Sequence, residues 1–151
     1  MEWVALIAWL LTAGGGFVLL AIWLQRGGMR QQLEAGNRIR PPLLLSHFGL
    51  AATGLVLWII YIASDSDALK WIAFIVILVV ALLGWTMFAI WYRQRQRGLT
   101  AAAAPASPDA PATGSAGAPE QHFPVSVVTI HGVTAVATVV TVFLTVIGVG
   151  D

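Results

Sequence analysis

The chain has 151 residues, 58% of them hydrophobic and 10% charged, with a net charge of +1 and no cysteine. An average soluble domain is about 25% charged, so this composition asks for a bilayer rather than water as the solvent. The missing cysteines exclude a disulfide framework, a thiolate metal site, an iron–sulfur cluster and haem attached through C-x-x-C-H.

A helix crossing about 30 Å of hydrocarbon needs about 20 apolar residues. Four segments meet that length, at about 3–24, 43–63, 69–92 and 125–149. None carries a charge well inside it, and backbone groups in lipid must be satisfied within each segment. The expected fold is an all-α integral membrane protein, a bundle of four transmembrane helices. The first segment lacks the basic n-region of a cleaved signal peptide, its only early charge being Glu2, and it reads as a permanent helix.

Between the first two spans, residues 26–42 carry Arg26, Arg30, Arg38 and Arg40. Gln31, Gln32, Leu33 and Glu34 give this loop some helical pattern, consistent with a segment lying on the membrane surface, and Pro41-Pro42 ends it. After the second span, Asp65-Ser66-Asp67 is too short for a domain and predicts a tight hairpin into the third. Arg93, Arg95 and Arg97 follow the third span, then a stretch rich in Ala, Pro, Gly and Ser. Residues 98–123 read as a flexible linker, its core from Leu99 to Pro119.

Seven of the eight basic residues thus fall on one side, Lys70 being the exception, while Glu2, Asp65, Asp67 and Asp151 fall on the other. The positive-inside rule puts the arginine loops in the cytoplasm and both termini outside. An alanine- and proline-rich linker fits a GC-rich bacterial genome, so the expected location is a bacterial cytoplasmic (inner) membrane. Trp3, Trp58 and Trp71 then lie at the outer interface and Trp23 and Trp91 at the inner one, as an aromatic belt.

The sequence repeats internally. Ala21-Ile22-Trp23-Leu24-Gln25-Arg26 recurs as Ala89-Ile90-Trp91-Tyr92-Arg93-Gln94 at an offset of 68 residues, and Gly16 matches Gly84 at the same offset. Spans two and four each follow a proline, place a histidine early and have alanine four residues later (Ala51, Ala135). These matches predict two duplicated hairpins in the same orientation.

Ionisable residues inside spans are rare and mark functional sites. His47 lies about 6 Å into span two and His131 about 9–10 Å into span four, both in the cytoplasmic leaflet. Neutral imidazole ligates haem iron, and a helical bundle can hold a haem between facing helices. His47, Ala51 and Gly54 share one helical face, and Thr134 and Ala135 follow His131. These small residues leave room for a macrocycle, although they also suit plain helix packing. Arg26, Arg38, Arg40 and Arg93 stand where haem propionates would need cations.

Four spans with histidines at positions 47 and 131 resemble, in architecture, the four-helix membrane cytochromes of the b type. The resemblance implies haem b with His47 and His131 as axial ligands to its iron, and an electron-transfer role. Those families carry two haems, one per leaflet, and this chain has no histidine in the outer leaflet. A single inner-leaflet haem suits quinone chemistry, electron delivery to another membrane subunit or a homodimer, or haem sensing.

Other readings start from the same residues. A histidine near the interface can simply hydrogen-bond a neighbouring helix. Met87 on span three is a substitute axial ligand or packing, and His122 an exposed interfacial residue. A zinc or copper site from His47, His131 and His122 lacks a carboxylate or thiolate partner. The threonines at 134, 138, 141 and 145 line one face over about 17 Å, as a polar path or as interhelical hydrogen bonds. Gly14-Gly15-Gly16 marks a close helix contact. At the level of function, the alternatives are a cofactor-free accessory subunit of a larger membrane complex and a small transporter. Against transport stands the lack of buried carboxylates and of paired broken helices. No soluble catalytic constellation and no nucleic-acid surface is present.

Overall fold

A computed structural model describes residues 1–29, 39–103 and 118–149. Its described elements are all helical: α1 (Glu2–Gln25), α2 (Pro41–Ser64), α3 (Asp67–Ala103), a 3-10 turn (Pro119–His122) and α4 (Val125–Val146). All four α-helices are long and apolar enough to cross a membrane. Arg38, the other residues of the first arginine loop between 30 and 37, and most of the Ala/Pro/Gly linker lie outside the described residues.

Local chemistry sets the helix ends. Proline at the first two positions of α2 costs no intrahelical bond, because those N–H groups would be unpaired anyway. Asp65 ends α2 in the left-handed region (φ 53°), returning its N–H to the Tyr61 carbonyl. Aspartate tolerates that conformation better than most residues, and α3 starts two residues later, as the tight hairpin expected. Helices α1 and α4 both close with a glycine at φ 79°, Gly27 and Gly148. In each, paired bonds run back to the last turn (Gly28 N–H to Trp23 and Gly27 N–H to Leu24; Val149 N–H to Leu144 and Gly148 N–H to Thr145).

Helix α3 overturns one boundary. It continues past Tyr92 to Ala103, into the segment read from composition as linker. The reason is local: Arg, Gln, Leu and Ala between 93 and 103 are strong helix formers, and Gly98 alone does not outweigh them. At 37 residues α3 outruns its 22–24-residue neighbours. Its last turns stand beyond the bundle at the end that bears the arginines.

The main interfaces pair α1 with α4 and α2 with α3, with lighter contacts between α1 and α2 and between α3 and α4. Along the diagonals, α1 to α3 and α2 to α4, no described Cα lies within 8 Å of another. The cross-section is therefore a square in chain order. One apolar cluster, around Ala5, Trp9, Trp58, Tyr61, Ala73, Ile77, Val142 and Val146, fills the end near the Asp65 hairpin. A second, of Trp23, Ile39, Leu44, Trp91 and Phe123, fills the arginine end.

The tryptophans divide differently from the belt expected. Trp3 and Trp71 point outward, whereas Trp23, Trp58 and Trp91 are buried in the bundle. Because every face of these spans is apolar, hydropathy could not separate an indole facing inward from one facing outward.

The candidate haem site

His47 and His131 are each the seventh residue of their helix, so they enter the bundle at matched depth. They stand on the two diagonal helices and meet in the middle, with ring centres 6.4 Å apart and planes 67° apart. His47 Nδ1 lies 3.0 Å from the Val80 carbonyl of α3. His131 Nδ1 lies 2.9 Å from the Thr12 carbonyl of α1. A carbonyl only accepts, so each Nδ1 carries the proton and donates it. In a neutral ring the free lone pair is then on Nε2. These are the bonds to a neighbouring helix that a packing histidine makes, and a backbone acceptor in this place also fixes tautomer and ring orientation, as it does for ligating histidines.

Glycine makes the close approach possible. A Cβ on Gly84 would stand 3.2 Å from His47 Cε1, and one on Gly16 3.2 Å from His131 Cε1. Gly15 also faces His131, while Gly14 faces open space. Two of the three glycines in the run are thus the close contact expected of them. Thr12 and Val80, like Gly16 and Gly84, are 68 residues apart, so the two histidines have corresponding seats, with Gly15 an additional contact at His131 alone. Further matched positions are visible only in three dimensions. Ala5 and Ala73, Gly54 and Thr138, Trp58 and Val142, and Tyr61 and Thr145 are buried pairs at the same offsets of 68 and 84.

The ring spacing can be compared with what a shared metal demands. Two imidazoles bonded from opposite sides at about 2.0–2.1 Å per bond have ring centres about 6.3–6.5 Å apart, a value that also falls within the about 4.5–7 Å of ordinary ring–ring contacts. Among the described residues no group of three or more His, Cys, Asp or Glu side chains converges, and His122 is exposed on the 3-10 turn. A donor set of two nitrogens suits a metal that brings its remaining ligands with it. Porphyrin iron does so, with four of its six.

The other expected site residues fall in different places. Ala51 and Ala135 are half-buried one turn beyond the histidines. Gly54 does not leave space for a macrocycle, because its open side is filled by Trp9 and Val76. Thr134 back-bonds to Ile130 and His131. Thr138, Thr141 and Thr145 likewise bond the carbonyls four residues back, and Thr138 also meets Thr12 across the α1–α4 interface at 3.0 Å. Each hydroxyl of the stripe is thus donated to its own helix, and Thr138 alone is seen to meet a side chain of another helix. Arg26, Arg40 and Arg93 are exposed at the arginine end. Met87 packs against the tryptophan cluster there.

No family model, curated protein or solved structure matches this chain.

A polar clasp at the arginine end escaped the sequence reading altogether. Glu120 is fully buried. Its Oε1 accepts from the Ile39 backbone N–H at 3.0 Å and from Gln94 Nε2 at 2.9 Å. It thereby ties the approach to α4, the approach to α2 and the later part of α3 together. A lone acidic residue in an Ala/Pro/Gly-rich stretch carried no periodic signal. Stranding a buried hydrogen-bonding group costs about 1–3 kcal/mol. Glu120→Ala strands two donors and is expected to lower the melting temperature in detergent, whereas Glu120→Gln, which keeps an acceptor oxygen, stays near wild type.

Proposed function

We propose that this chain lies in a bacterial cytoplasmic membrane as two duplicated helical hairpins and holds one haem b between His47 and His131, in the leaflet nearer the cytoplasm, as an electron-transfer protein or subunit. One observation supports the reading: two imidazoles, each tied through Nδ1–H to a backbone carbonyl and seated on a glycine, come together inside the bundle with ring centres 6.4 Å apart, a separation compatible with a shared iron.

Each residue has a part in it. His47 and His131 bind through Nε2. The carbonyls of Val80 and Thr12 keep those nitrogens unprotonated and the rings oriented. Gly84 and Gly16 let the rings lie flush against α3 and α1. Arg26, Arg40 and Arg93 supply positive charge for haem carboxylates, with the arginine end facing the cytoplasm by the positive-inside rule. Bound haem supplies a one-electron couple between ferric and ferrous iron. One haem in one leaflet does not span the bilayer, so electrons enter and leave near the cytoplasmic face. The exchange partner is then another membrane subunit, a second copy or a quinone, and the chain is a redox subunit rather than an autonomous enzyme.

The test is an absorption spectrum of the purified protein in detergent, recorded with and without dithionite. A Soret band with sharp reduced α and β bands is expected. Protein made with ample haem that shows none of these is a cofactor-free accessory subunit instead.

A further inference from the structure

Among the described residues, the buried side-chain polar atoms without a partner are Trp23 Nε1, Gln94 Oε1 and Glu120 Oε2. Gln94 and Glu120 belong to the clasp, and their open atoms are acceptors. Trp23 Nε1 is different: it is a donor, on a side chain that is fully buried. A stranded buried donor is costly, and each one in a folded protein calls for an explanation such as an absent ligand. At the opposite end of the bundle, the equally buried Trp58 has solved the same problem by donating to the Glu2 carbonyl at 3.2 Å.

The position of Trp23 is informative. It follows Gly16, the seat of His131, by seven residues. That places it on the same face of α1, about 10 Å nearer the arginine end. Its cluster includes Leu44 and packs against Val128, which stand one turn before His47 and His131. The indole therefore belongs to the layer directly next to the histidine pair. Its repeat mate Trp91 holds the corresponding place on α3, seven residues after Gly84. Trp91 is also buried, with the Arg95 guanidinium 5.9 Å from its ring.

Haem b has two carboxylates, both on one edge. We infer that this edge points to the arginine end and that the Trp23 indole N–H donates a hydrogen bond to one of those carboxylates, making Trp23 a positioning residue for the macrocycle. The inference rests on the haem reading above. Two features fix the direction. The unpaired donor and the arginines lie on this side of the histidines. On the other side, the apolar cluster around Trp58 and Val142 closes the bundle.

The experiment compares wild type with Trp23→Phe, which keeps an aromatic ring and removes the N–H. Both are loaded with haem and, separately, with haem dimethyl ester, whose carboxylates are blocked. Release into a haem scavenger is followed spectroscopically. With haem, Trp23→Phe is expected to release about tenfold faster while its low-spin spectrum is unchanged, since a hydrogen bond to a charged group is lost. With the ester, the two proteins should release alike. Equal rates with haem overturn the inference and leave the haem reading intact. So does an equal deficit with both ligands, which would mean that Trp23 acts only through packing. Should Trp23→Phe fail to fold, the same comparison is made with Trp23 replaced by its benzothiophene analogue, which keeps the shape of the indole and lacks the N–H, and about tenfold faster release of haem but not of the ester is again the expected result. A wild type that takes up no haem overturns both readings together, and its own spectrum tells that case apart.

Discussion

Replacing either histidine is expected to abolish the low-spin haem spectrum. With haem held as proposed, His47→Ala or His131→Ala removes one of the two protein ligands to its iron, and the remaining ring cannot supply both. The two variants should behave alike, because the two seats share their main contacts. Each ring donates to a carbonyl at 2.9–3.0 Å, and each faces a glycine whose Cβ would stand 3.2 Å from Cε1. Both proteins should still fold, since neither ring belongs to the apolar clusters at the two ends of the bundle. Spectra of the two variants, with size-exclusion profiles as the folding control, check this. A variant with an unchanged spectrum removes its histidine from the ligand set.

The second large effect is expected at residues that never touch the iron. Gly84→Leu and Gly16→Leu drive a side chain into the imidazole of His47 or His131. Overpacking of this kind costs about 1–3 kcal/mol. The ring can escape only by turning away from its carbonyl, which surrenders the orientation that ligation needs. Haem occupancy at limiting haem should fall by about tenfold or more, by the usual conversion of about 1.4 kcal/mol per decade. Gly14 and Gly132 provide the control, because a Cβ at either meets nothing within 4 Å. Gly14→Leu and Gly132→Leu should bind haem like wild type. Equal losses at all four positions would mean that glycine matters here for the helices, not for the histidines.

Much of this architecture could be read in the sequence, and the residues show why. Four uninterrupted apolar runs set off by charged residues or proline allow few alternatives, and the helices follow them closely except at the far end of α3. The histidine pair stood out because an ionisable ring in an apolar run is rare. Gly16 and Gly84 could be paired through the repeat, although what they pack against could not be seen. Where the reading stopped, the missing quantity was direction. Trp23 and Trp58 face inward and Trp3 faces outward, yet the spans are apolar on every side and show no preferred face. Gly54 shared a helical face with His47, but whether that face was vacant depended on Trp9, which comes from another helix. Glu120 lay in a stretch whose composition suggests a linker. Its burial follows from partners at Ile39 and Gln94, which are 81 and 26 residues away, a distance that local pattern does not bridge.

The most direct test of the central claim is the electron paramagnetic resonance spectrum of the oxidised protein at liquid-helium temperature. The two imidazole planes stand 67° apart, and each is held by its own carbonyl. Nearly perpendicular axial rings give ferric haem a strongly anisotropic low-spin signal. One such signal, integrating to one haem per chain and lost in both His47→Ala and His131→Ala, is the predicted result. Protein produced with ample haem that gives no ferric haem signal, or only a high-spin one, contradicts it.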